Sequence, residues 1–166
     1  MKYELVTTDT KKMGSITLYR IRALVDIGSM VAAGELGGYI EGQRNLDQSG
    51  NAWVSGNAQV SGDAQVSGDA RVYGNAWVYG NAWVSGNAWV KQSSDHLQVG
   101  PAKSSGRFTT AFIDEKIGVR VVCGCFSGSV LEFSQKIEET HKDNNKHLEQ
   151  YRLFCQLIAF NFNVQI

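Results

Sequence analysis

Between Gly50 and Lys91 the alternation of apolar and polar positions has a super-period of six. Alanine recurs at Ala52, Ala58, Ala64, Ala70, Ala76, Ala82 and Ala88, and two residues after each comes Val54, Val60, Val66, Val72, Val78, Val84 or Val90. An extended chain sends successive side chains to opposite faces, so each Ala and Val share one face and the residue between them points the other way. The Gly-(Asn/Asp) pair before each alanine predicts a corner. Glycine tolerates positive φ, and Asn or Asp accepts left-handed geometry and hydrogen-bonds within its own turn. One hexapeptide therefore predicts one short side and one corner of a β-helix with Ala and Val inside. Ile40 and Leu46 fall in the phase of Ala52, which predicts that the coil begins near Gly38.

Outside the repeat the period changes. Residues 3–8 and 15–25 are rich in β-branched and aromatic residues on either side of a Lys11-Lys12-Met13-Gly14 turn, which predicts a β-hairpin. Placed at the end of the coil and carrying Lys11, Lys12, Arg20 and Arg22, such a hairpin would keep further copies from stacking on an open strand edge. After Lys91 a polar stretch containing Pro101 predicts a linker, and residues 107–114 and 119–126 then alternate as two strands around a turn. Ser129 and Glu132 stand in capping-box spacing before Val130, Phe133 and Ile137, which predicts a helix ending near His141. A second helix follows, with Leu148, Tyr151, Cys155, Ile158 and Phe162 on one face and Leu153, Phe154, Leu157 and Phe160 on the other. A small chain buries a helix that is apolar nearly all round most readily against another subunit. The expected architecture is mainly β: a hairpin cap over 1–37, a parallel β-helix over 38–91, a linker over 92–106, and a small α+β domain over 107–166 for ligand binding or oligomerisation.

The repeat resembles the hexapeptide-repeat left-handed β-helix family, in which three sides close a triangular coil of about 18 residues. The resemblance implies a left-handed winding and about three coils here. The whole chain is similar to a group of phage and prophage hexapeptide-repeat proteins. It shares Leu18-Tyr19-Arg20-Ile21-Arg22-Ala23-Leu24, Leu36-Gly37-Gly38-Tyr39-Ile40-Glu41, Asn45-Leu46, Val99-Gly100-Pro101, Gly124-Cys125-Phe126-Ser127-Gly128 and Glu139-Thr140-His141. That resemblance implies a phage origin and the cytoplasm of the host cell, with no defined activity attached.

Charge changes the picture only by exclusion. Sixteen basic and sixteen acidic side chains balance over the chain, and they balance again before, within and after the repeat, so no basic face points to bulk nucleic-acid binding. No stretch reads as a membrane helix or signal peptide. Three cysteines, two of them separated by one residue, fit reduced thiols better than a disulfide framework.

Candidate chemistry falls in three places. The outward position between Ala and Val holds Trp53, Gln59, Gln65, Arg71, Trp77, Trp83 and Trp89. An 18-residue coil stacks Trp53, Arg71 and Trp89 on one ladder, Gln59 with Trp77 on the second and Gln65 with Trp83 on the third. Such an aromatic surface serves as cover or subunit contact, as a stacking platform for nucleobases, or as a carbohydrate surface. The second place combines Lys103, Ser104, Ser105, Arg107 and Thr109 near a Gly/Ser turn, with His141 and His147 as further donors. Backbone N–H groups and a guanidinium suit a phosphate, although the segment lacks the P-loop pattern and also reads as a solvated linker. Third, Cys123 and Cys125 are expected on one strand face, where buried thiols, a zinc site and a Cys/His nucleophile remain alternatives.

Acyl transfer, which hexapeptide repeats suggest, is disfavoured because the repeat contains neither a histidine nor an inserted loop; ice binding is disfavoured because no Thr ladder is present. The reading that follows is a non-enzymatic homo-oligomer, trimeric by preference, with no cofactor or metal. Its inter-subunit pockets are expected to sequester a nucleotide-type signal of host defence. The rival is a protein that inhibits a host enzyme by binding it.

Overall fold

The computed structural model describes residues 1–103 and 105–166, and the chain divides into two units, Met1–Ser94 and Asp95–Ile166. In the first unit the β-branched N-terminal stretch forms β1 (Tyr3–Met13) and β2 (Ile16–Ala23), antiparallel around Gly14 at φ +58°. β3 (Leu36–Ile40) runs antiparallel to β2 and leads into seven two-residue strands. These are β4 (Trp53–Val54), β5 (Gln59–Val60), β6 (Gln65–Val66), β7 (Arg71–Val72), β8 (Trp77–Val78), β9 (Trp83–Val84) and β10 (Trp89–Val90). They pair in parallel, β4 with β7 and β7 with β10, β5 with β8, and β6 with β9. Arg71 lies beside both Trp53 and Trp89, eighteen residues from each, and the other ladders keep the same step. The unit is a β-solenoid.

The inward columns behave as the two-residue alternation requires: every Ala from Ala52 to Ala88 and every Val from Val54 to Val90 is at most 1% exposed. Removing each valine side chain from water contributes about 1.5 kcal/mol or more before entropy is subtracted. Corner glycines from Gly50 to Gly86 lie at φ +65° to +69°. The corner Asn and Asp do not share that geometry, since Asn163 is the only non-glycine at positive φ among the described residues. Glycine alone carries the left-handed position, and Asn51 instead reaches across to the next coil, donating to Asp69 Oδ1 at 2.9 Å.

Ile40 and Leu46 depart from the expected phase. They sit beside Val60 and Val66 and extend the valine columns, not the alanine ones. Two extra residues in the Asp47–Ser49 corner cause the shift, because Leu46 precedes Ala52 by six positions whereas Val66 precedes Ala70 by four. The widened corner is held from the N-terminus. Lys2 Nζ donates to the Ala52 carbonyl at 2.9 Å and to that of Ser49 at 3.2 Å, and the Tyr3 hydroxyl donates to the Leu46 carbonyl at 2.7 Å. Burial lowers the Lys2 pKa, against the opposing pull of Asp47, and pushes the Tyr3 hydroxyl up to about 12. Fully buried Asn45 also fastens this coil, its amide donating to the Gly62 and Ala64 carbonyls at 3.0 and 2.9 Å. Gly37 and Gly38 are required by contact: a Cβ on either would fall 2.6 or 2.7 Å from the backbone oxygen of Val54 or Ala58.

In the second unit β11 (His96–Val99), β12 (Thr109–Asp114), β13 (Gly118–Cys123) and β14 (Phe126–Ser129) form an antiparallel sheet in chain order. Helices α1 (Val130–His141) and α2 (Asn145–Phe162) follow. Four strands replace the two expected. The stretch taken for a linker contains β11, whose Leu97 and Val99 pair with Ala111 and Thr109. The stretch taken for one strand over 119–126 breaks at Gly124, φ +60°, and turns back. The Ser129–Glu132 capping box forms, with Ser129 N–H donating to Glu132 Oε2 at 2.7 Å and Glu132 N–H to Ser129 Oγ at 3.2 Å. The core is Ala111, Val121, Val130, Phe133, Ile137, Tyr151, Cys155 and Ile158. Asp114 closes the β12–β13 turn by accepting from the Lys116 amide at 2.9 Å and the Arg120 guanidinium at 2.6 Å. Burial tends to raise its pKa, but these bonds outweigh burial and leave it lowered.

Candidate ligand site

Arginine pairing separates the candidate sites from the scaffold. Of the seven arginines in the sequence, Arg20, Arg22, Arg44, Arg120 and Arg152 each reach a carboxylate. Arg71 and Arg107 reach none among the described residues. One lies on the solenoid and the other in the C-terminal unit.

Arg107 precedes β12 and spreads over Gly124, since a Cβ built there would lie 2.8 Å from Arg107 Nη1. Its backbone closes a small loop: the carbonyl accepts from Ala102 N–H at 2.8 Å, and its own N–H donates to Ser105 Oγ at 3.2 Å. Ser105 Oγ shares a 3.1 Å hydrogen bond with the Tyr151 hydroxyl. Tyr151 in turn stacks on His141, with ring centroids 5.0 Å apart and planes 13° from parallel, and His141 meets His147 edge-on at 5.9 Å. The structure thus connects the backbone of Arg107 with Ser105, His141 and His147 through Tyr151, which the sequence places only on one apolar face of a helix. The stacking follows from helical geometry, because α1 ends on His141 where α2 presents Tyr151 and His147 four residues apart. A guanidinium that reaches no carboxylate among the described residues, a hydroxyl and two imidazoles are each able to donate to the oxygens of an anion.

Other predicted members stand apart. Thr109 is fully buried on β12, and its hydroxyl has no partner among the described residues; it is not accessible to a ligand. Lys103 is exposed, and its backbone N–H donates to Gln150 Oε1 at 2.9 Å. Ser104 lies outside the described residues. Cys125 is in the Gly124-Cys125 turn while Cys123 ends β13, so the two thiols do not share one strand face. Cys155 is buried, and desolvation pushes its thiol up to about 11, which disfavours the nucleophilic thiolate.

On the solenoid the three expected ladders are observed, but their exposure is uneven. Trp77, Trp83 and Trp89 are 40–42% exposed, whereas Trp53 is only 2% exposed. The hairpin covers it: Tyr3 meets Trp53 edge-on at 6.4 Å, and Gly37 passes over its ring. Arg71 stacks on neither indole; Trp89 instead meets Tyr73 edge-on at 6.1 Å. Trp53, Arg71 and Trp89, with Met30, Ser55 and Tyr73, line a recess of about 220 Å³. Tyr73 is legible in the sequence as aromatic surface near a corner of the repeat, whereas Met30 is not, because it lies outside the repeat.

Comparison with known families adds one match: the profile described as the YdcK beta solenoid repeat covers residues 64–80. It agrees with the parallel ladders of the central region. No curated protein matches the chain significantly. No helix among the described residues is long and apolar enough to cross a membrane.

Proposed function

We propose that the chain is a non-enzymatic binding protein whose C-terminal unit takes a small nucleotide-type anion. The Arg107 guanidinium, which reaches no carboxylate among the described residues, carries this reading, and its backbone amide is joined through Ser105 and Tyr151 to His141 and His147. Phosphate oxygens would accept from Arg107 and the imidazoles, and ligand selectivity would come from the groups around Tyr151.

The resemblance to phage hexapeptide-repeat proteins supports the finer parts of the reading. These are a left-handed solenoid of about three coils, a phage origin, action in the host cytoplasm, and sequestration of a host-defence signal. Leu153, Leu157 and Phe160 on α2 are 62%, 45% and 87% exposed in the single chain, which supports an assembly of like chains, a trimer by preference, with the site shared between subunits. The same surface would serve the rival role, binding and inhibiting a host enzyme.

Calorimetry against cyclic and linear nucleotides, with acetyl-coenzyme A as the acyltransferase challenge, tests the proposal. A nucleotide should bind, and Arg107→Ala should weaken it by about tenfold to a hundredfold, the effect of removing a hydrogen bond to a charged group, without changing the melting temperature. If no nucleotide binds the wild type, or if Arg107→Ala binds equally well, the site is wrong and a protein partner becomes the better reading. Sedimentation showing only monomer at micromolar concentration would remove the shared-pocket arrangement.

A further inference from the structure

The other unpaired arginine marks a second site. Three ladders of one repeat share their backbone, yet they differ in what they hold outward: Gln59 and Trp77 on one, Gln65 and Trp83 on another, and Arg71 between Trp53 and Trp89 on the third. Only the third ladder includes a cation. Met30 and Tyr73 wall it into the recess of about 220 Å³, with Ser55 adding a hydroxyl. Arg71 is partly buried there and has neither a carboxylate nor a hydrogen-bond acceptor for its side chain among the described residues.

A separate observation points the same way. Trp53, one of the residues lining this recess, is buried, and its Nε1 has no hydrogen-bond partner among the described residues. Buried indole N–H groups ordinarily find an acceptor, so a guanidinium and an indole N–H both lack one here. Trp89 and Tyr73, at 75° to one another, supply aromatic planes beside them.

From this arrangement we infer that the recess binds a planar conjugated ring bearing one anionic group, the ring against the Trp89 and Tyr73 side chains and the anion on Arg71. The volume restricts the class. It lies below the roughly 300 to 1,000 Å³ common for ligand pockets, which favours a small ligand over dinucleotides and long acyl carriers. The single cation limits the charge that can be matched. An aromatic carboxylate and a mononucleotide share the required chemistry, and the experiment separates them.

Indole-3-acetate and uridine 5′-monophosphate are titrated by calorimetry into the full chain carrying Arg107→Ala, so that the reading is independent of the C-terminal site. Uridine serves as the neutral control. One of the two anions should bind at one per chain, and uridine should bind at least about tenfold more weakly. Arg71→Gln should reduce affinity about tenfold to a hundredfold, and Trp89→Ala by about fivefold to a hundredfold, while Gln65→Ala on a different ladder leaves it unchanged. A melting temperature equal to that of the parent shows that each variant is folded. Failure of both anions to bind at millimolar concentration overturns the inference, as does Arg71→Gln binding like the parent. If no probe binds and Arg71→Gln or Trp89→Ala instead changes the sedimentation coefficient, the recess is a contact between copies, and the ligand site is refuted.

Discussion

The two units bury their cores by opposite means. The solenoid stacks small, identical side chains, Ala on Ala and Val on Val, and each coil repeats the hydrogen bonds of the last, as when Trp53 N–H donates to the Ala70 carbonyl and Arg71 N–H to that of Ala88. The C-terminal unit gathers unlike aromatic rings around a hub. Phe126 meets Phe133 at 5.2 Å, Phe133 meets Tyr151 at 6.2 Å, and Tyr151 meets Phe154 at 5.6 Å. A uniform core spreads its stability over many equal positions and leaves the outward residues free to vary. A hub concentrates stability, and here the hub residue Tyr151 also orients the candidate site.

The severest test of that contrast is a charge inside the repeat. Val72→Asp places an unpaired carboxylate at a fully buried position and should cost several kcal/mol, enough to abolish hydrogen-exchange protection through residues 53–90. Retained protection would mean that the columns are not a continuous core. Phe133→Ala comes next. It removes a ring touching both Phe126 and Tyr151, and denaturant unfolding should show a loss of about 3 to 5 kcal/mol in the C-terminal unit.

A smaller effect concerns acid. Because the folded-state pKa of Asp114 is lowered, its contribution is complete at neutral pH and is lost as pH falls through the unfolded value of 3.8 and on through the folded one. Urea midpoints should therefore drop between pH 6 and pH 3. Asp114→Asn should already cost about 2 kcal/mol at pH 6 and show a shallower acid decline. An unchanged acid decline would transfer the effect to other carboxylates. The smallest effect is Gln65→Ala on the exposed outer face, which should alter stability by less than about 0.5 kcal/mol in a thermal melt. A larger loss would show that the outward positions also carry structure.

The same contrast decides what was legible in the sequence. Inward Ala and Val could be read directly, because period-two alternation inside a six-residue repeat leaves one assignment of faces. The Ser129 cap was equally local. The phase of Ile40 and Leu46 was not, since the two added residues before Gly50 are absorbed by Lys2, some forty-five residues upstream, and nothing local records that clamp. Nor was β11 legible: His96 and Gln98 interrupt its apolar pattern, and its identity as a strand depends on pairing with β12 across the intervening loop. Trp53 looks like its fellow tryptophans because the repeat cannot reveal that Tyr3 and Gly37 from outside it pack on this one indole. At the candidate site Arg107, Ser105 and the histidines were visible as chemistry. Tyr151, which joins them, was visible only as helix periodicity.

The written repeat is six residues long, but the ladder step is eighteen. Near-identical hexapeptides invite replication slippage, which gains or loses one unit at a time. Gaining or losing a single unit between Trp53 and Trp89 would keep every Ala and Val inside while bringing different outward residues onto the same side. Only changes by three units restore the original neighbours. The fold is therefore permissive in length and strict in combination: it can survive copy-number change while reshuffling its surface, so that a tandem-repeat mutation acts as a rotation of the outward side chains through thirds of a turn.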